Sequence, residues 1–233
     1  MEYTITQSTT FPIVQIHLGQ GETIQIESGS MLYHNGTVKL EGRMNSNGKK
    51  GLGGLMSAVG RSMTSGESFF ITTATGQAAD SELAIAPGNP GVIKSLPTAP
   101  GSELRLNTGA FLAADSDVHY NMVRQKLDGA MFGGTGGLFV METSGSGNVL
   151  VSGYGDIIPI EMDGSKEYIV DNSHVVAWSG SLDYNTEFAS GTFGFKTGEG
   201  IVNRFHGRGT VYIQTRNMES LANSLKPYLP SNN

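Results

Sequence analysis

Three stretches of this 233-residue chain are variations on one pattern. GETIQIESGSMLYHNG runs from Gly21, GSELRLNTGAFLAADS from Gly101, and GSKEYIVDNSHVVAWSG from Gly164, the last with one extra residue near its start. Each holds a turn, an alternating strand and a small-residue break at Gly29, Gly109 or Ser173. Each then enters an apolar strand at Met31, Phe111 or Val175. Second halves follow in the same order: GESFFITTATG from Gly66, TGGLFVMETSG from Thr135 and GEGIVNRFHG from Gly198. The strands SELAIAP, NVLVSG and TVYIQT close the three copies, after turn glycines Gly76, Gly145 and Gly207. A β unit of this size cannot bury its apolar face alone, so recurring units must share a core. The expectation is one domain over residues 1–233 with pseudo-threefold internal repeats at about 21–97, 101–162 and 164–217.

The local signals are those of strands. TIQIES and ELRLNT alternate apolar and polar residues, the period of a half-buried strand. FFIT, LFVM and VYIQ are short apolar runs rich in aromatic and β-branched residues and bounded by glycine. With 33 glycines and only 15% charged residues, the chain favours tight turns over long surface helices. The C-terminal stretch is an exception. Asn217 is an N-cap, Met218, Leu221 and Leu225 recur at helical spacing, and Pro227 is a stop. This predicts a helix over 218–226 that docks its apolar face on the domain. GNPGVIKSLPTAPG reads as an extended linker between the first two repeats, either tied down or laid along a neighbour's edge.

In this order the motifs resemble the altered-inheritance-of-mitochondria, or mitochondrial biogenesis, family. The resemblance is carried by ESGSMLYHNG, GGLMSAVGRSMTSGESFFITTATG, IAPGNPGVIKSL, TGAFLAADSDV, GGTGGLFVMETSGSG, VDNSHVVAWSGSLDY and GRGTVYIQTRN, spread from about residue 3 to 217. It implies an all-β fold, a triplicated β-sandwich or double-stranded β-helix related to the tryptophan RNA-binding attenuation protein fold. It also implies no established catalytic activity. The third repeat departs from the family's pattern: EFASGTFGFKTGEG stands where relatives carry a Gly-Gly-Leu insert.

The residues themselves nominate little chemistry. With no cysteine, disulfides, thiolate metal sites and a cysteine nucleophile are excluded. No two of the five histidines lie within four residues of each other, but His34 and His174 flank equivalent apolar strands and could meet through the symmetry. No Gly-x-Ser-x-Gly elbow sits in a strand–turn–helix context. Ser30 and Ser68 lie beside glycine without an identifiable base. Glu67 and Glu199 hold matching Gly-Glu positions, as turn acceptors or as an acidic rim. Asp115, Asp117 and Asp171 are the remaining carboxylates of interest, with structural roles favoured. A net charge of −6 argues against nucleic-acid binding. The N-terminus lacks the pattern of a signal peptide, and no window reaches the length of a membrane span, so a soluble cytoplasmic protein is expected.

NGKKGLGGLMSAVGRSM, residues 47–63, lies in a loop about eleven residues longer than its counterparts in the other repeats. It fits neither phosphate-loop spacing. Leu52, Leu55, Met56, Val59 and Met63 predict a short amphipathic insert helix capping the sandwich. Lys39, Arg43, Lys49, Lys50 and Arg61 against Glu41 alone keep open a contact with an acidic partner or an anionic membrane surface. The sequence-level expectation is a non-catalytic scaffolding or binding protein that self-associates and needs no cofactor. The alternatives are a small-molecule binder with a pocket at the pseudo-threefold axis and, third, a metal-dependent or hydrolytic enzyme. Candidate interaction or rim residues are Lys49, Lys50, Leu52, Leu55, Met56, Glu67, Glu199, His34 and His174.

Overall fold

The structure is a computed structural model that describes residues 1–6, 10–44, 70–124, 139–189 and 200–229. It is all-β apart from one short helix and three 3-10 turns among the described residues. The strands, numbered along the chain, form four sheets. The first runs β1 (Glu2–Ile5), β2 (Val14–Leu18), β7 (Ser81–Ile85), β4 (Met31–His34). The second runs β5 (Val38–Met44), β6 (Phe70–Gly76), β3 (Thr23–Glu27), β10 (Phe111–Asp115), β13 (Gly147–Tyr154), β8 (Gly91–Thr98). The third has the same plan: β11 (Val118–Arg124), β12 (Phe139–Gly145), β9 (Leu104–Asn107), β16 (Val175–Ser179), β19 (Arg208–Gln214), β14 (Ile157–Asp163). The fourth is β15 (Tyr168–Asp171), β18 (Ile201–His206), β17 (Asp183–Phe188).

Alternation positions the outer strands. Val14, Ile16 and Leu18 of β2 are buried, while Gln15 and His17 between them are exposed. The central strands β10 and β16 break this rule, with four consecutive buried residues each. Both lie where a sheet passes from one hydrophobic core to the next, so both faces are covered. The register explains how. Between Phe111 and Ala113 the β10 pairing with β13 slips by one residue, a bulge that places Leu112 and Ala113 together on one face. Leu112 and Ala113 enter the core with Ile16, Ile24 and Leu83, whereas Phe111 and Ala114 enter the core with Leu106 and Met141. β16 slips at the matching place, between Val175 and Ala177. Val176 and Ala177 join the Leu106 core, and Val175 and Trp178 join the third core with Phe205 and Val211.

The stretch read as a linker is itself a strand. β8 pairs along its whole length with β13, and Leu96 is buried beneath it. Its Pro97 is tolerated because β8 is a sheet edge. At its start the backbone crosses close to β13's end: a Cβ on Gly91 would overlap the Gly153 carbonyl oxygen. Only glycine fits there.

Trp178 anchors the third core. It is fully buried and meets Tyr184 edge-on at 4.9 Å and Phe205 at 5.6 Å between ring centroids. Trp178→Ala should cost about 3–5 kcal/mol of stability, read as a lower urea midpoint in far-UV circular dichroism.

Candidate functional site

Every open sheet has edges, and an unpaired edge invites another strand. Among the described residues, four of the eight edge strands are blunted. β8 carries Lys94 and Pro97, and β14 carries Pro159. β5 carries the exposed Lys39–Glu41 ion pair, 3.0 Å apart. β17 carries Asp183 and Glu187, the latter held 2.7 Å from Arg204. β1 (EYTI), β4 (MLYH) and β15 (YIVD) have no lysine, arginine or proline, and of these β4 and β15 expose the large apolar side chains. Met31, Leu32 and Tyr33 on β4 are 40%, 52% and 46% exposed, and Tyr168 and Ile169 on β15 are 37% and 55% exposed. Fully burying one exposed side chain of this kind is worth about 1.5–3 kcal/mol. The half-exposed apolar side chains of these two edges are the candidate functional site.

The residues nominated from sequence fall elsewhere or are otherwise engaged. Lys49, Lys50, Leu52, Leu55, Met56, Glu67 and Glu199 lie outside the described residues. His34 ends β4, where its Nδ1 accepts a hydrogen bond from the Gly36 amide at 3.0 Å. His174 closes the 3-10 turn before β16. Its Nδ1 lies 2.6 Å from the Gln214 carbonyl, which can only accept, so Nδ1 carries the proton. Its Nε2 then accepts from the Asn217 amide at 2.7 Å. With both nitrogens occupied by Gln214 and Asn217, this histidine is a brace, not a metal ligand waiting for its ion. Among the described residues no group of three or more His, Asp or Glu side chains is arranged to hold a metal ion.

The carboxylates are structural too. Asp171 accepts from the Ser173 amide and hydroxyl at 2.8 and 2.7 Å. Asp115 accepts from the Met1 ammonium at 2.5 Å and the Asn148 amide at 2.7 Å. Ser30 donates its hydroxyl proton to the Glu27 carbonyl at 2.7 Å, a turn contact and not a nucleophile awaiting a base. Burial pushes the Glu27 carboxyl above the usual range. Among the described residues no second titratable side chain shares a hydrogen bond with it, so the paired groups of acid–base catalysis are not assembled there.

The C-terminal helix α1 (Met218–Leu225) begins where the sequence places it: the Asn217 side chain accepts from the Ser220 amide at 2.7 Å. The expectation that α1 docks its apolar face is corrected. None of its residues is buried, and Met218 and Leu225 are 47% and 48% exposed. Its attachment is the polar chain Gln214–His174–Asn217 at its first turn, which the apolar spacing could not reveal.

A family model for mitochondrial biogenesis AIM24 matches residues 3–216. The chain belongs to the AIM24 family. Within the family's range of relatives, an uncharacterised protein of Streptococcus pyogenes serotype M6 is 47% identical over 232 residues, covering 99% of this chain and 92% of that one. An X-ray crystal structure of a Streptococcus pyogenes protein, 44% identical, superposes with a TM-score of 0.80 over 98% of this chain and 99% of the other. This AIM24-family chain therefore shares its fold with a solved relative, and none of these matches carries a described activity.

Sequence reasoning passed over β4 because it aligns with the buried strands β10 and β16, and over β15 because it aligns with the half-buried strands β3 and β9. The available signal was Leu32-Tyr33 standing where the other copies have Leu112-Ala113 and Val176-Ala177: a tyrosine in place of a tightly packed alanine. For the helix brace, Asn217→Ala removes both the cap and the His174 contact. It should cost about 0.5–2 kcal/mol of local stability, seen as faster amide exchange confined to 218–225.

Proposed function

We propose that this protein is a non-catalytic scaffolding or binding module built from three similar β units, and that it acts as a homo-oligomer. The observation that carries the reading is the pair of unblunted apolar edges, β4 of the four-stranded sheet and β15 of the three-stranded sheet. Leu32 and Ile169 stand 52% and 55% exposed on those edges beside Met31, Tyr33 and Tyr168, and a covering strand would remove this apolar area from water. The surrounding chemistry supports binding over catalysis, since the histidines and carboxylates described above are engaged in turns, caps and braces.

Mass measurement in solution tests this. Light scattering after size exclusion should give a multiple of the 24.7 kDa chain mass, falling on dilution. Leu32→Lys combined with Ile169→Lys should shift the mass to one chain while leaving the circular dichroism spectrum unchanged. A single-chain mass at every concentration would count against self-association.

A further inference from the structure

The two six-stranded sheets are joints. In each, a three-stranded half is hydrogen-bonded to a three-stranded half that follows it in the chain: β5-β6-β3 to β10-β13-β8, and β11-β12-β9 to β16-β19-β14. The two smaller sheets have the composition of one further joint left apart. β17-β18-β15 has the order of the first half, and β4-β7-β2 that of the second, with β1 added outside. β4 even carries the matching slip, between Met31 and Tyr33 against β7.

The cores show the same gap. The first receives Leu112 and Ala113 from the second unit, and the second receives Val176 and Ala177 from the third. The corresponding side chains, Leu32 and Tyr33, enter none of the three cores and stand in solvent. The third core, around Trp178 and Phe205, holds no residue of the first unit among the described residues.

We propose that β15 of one molecule pairs antiparallel with β4 of a second copy, so that Leu32 and Tyr33 complete the Trp178 core of the neighbour. This rests on the self-association reading above and specifies its contact. The two existing joints give the register. Ala113 faces Ile26 and Ala114 faces Gln25 in one; Ala177 faces Leu106 and Trp178 faces Arg105 in the other. Both obey the same alignment, which places Tyr33 opposite Val170, His34 opposite Ile169 and Asn35 opposite Tyr168. A second copy is the occupant because each molecule presents both complementary edges and leaves them unpaired with each other. The contact is head-to-tail, so it closes into a ring or extends as a filament according to the rotation between copies.

The chain has no cysteine, so introduced ones report cleanly. Single variants His34→Cys, Asn35→Cys, Ile169→Cys and Tyr168→Cys are mixed in pairs under mild oxidation. Because a disulfide forms only when the Cα atoms lie within about 4.4–6.8 Å with matching directions, in-register pairs should crosslink roughly tenfold faster than out-of-register ones. The fast pairs are His34→Cys with Ile169→Cys and Asn35→Cys with Tyr168→Cys. The slow pairs are His34→Cys with Tyr168→Cys and Asn35→Cys with Ile169→Cys. Each cysteine serves in one fast and one slow pair, so a folding defect in one variant does not mimic the pattern. Oligomers that crosslink without register preference would overturn this contact and leave self-association standing. A His34→Cys, Ile169→Cys double variant that links only within one chain would overturn it in favour of internal closure. A single-chain mass throughout would overturn both readings.

Discussion

Backbone pairing of β3 with β10 and of β9 with β16 holds this molecule together. Without those two ladders each six-stranded sheet would fall into two three-stranded halves, too small to be stable alone. With them, each central strand has a core on both faces. That is why β10 and β16 are apolar throughout while the outer strands alternate. The bulge in each is the device that makes this work, because it turns two consecutive side chains into the neighbouring core while their flanking residues remain in their own.

That constraint gives β4 its meaning. It has the slip and the apolar sequence of a joint strand, yet its side chains face solvent. An edge of this kind on a free protein is an aggregation hazard. The edges β5, β8, β14 and β17 carry lysine, proline or ion pairs, so the chain blunts those exposed strands in the ordinary way. β4 and β15 lack such blunting, and a second copy covering them is the proposed reason.

Much of the fold was legible in the sequence. The β character of the repeated segments, their breaks at Gly29, Gly109 and Ser173 and the cap at Asn217 follow from alternation, glycine punctuation and capping chemistry. The candidate site was not legible, for a physical reason. Alignment assigns Met31-Leu32-Tyr33 the environment of Phe111-Leu112-Ala113, and burial depends on which strand lies alongside, a property of topology that periodicity does not encode. The role of His174 was hidden likewise. Its partners, Gln214 and Asn217, lie about forty residues away in sequence. The helix was placed correctly but its packing was not, since apolar spacing says that a face could dock and not that a surface is there to receive it.

Amide hydrogen exchange followed by mass spectrometry, in dilute and in concentrated solution, reaches the central claim most directly. Peptides spanning β10 and β16 should be protected equally at both concentrations, because their ladders are internal. Peptides spanning β4 and β15 should exchange quickly when dilute and slow together as concentration rises. Exchange of β4 and β15 that is the same at both concentrations would contradict the account.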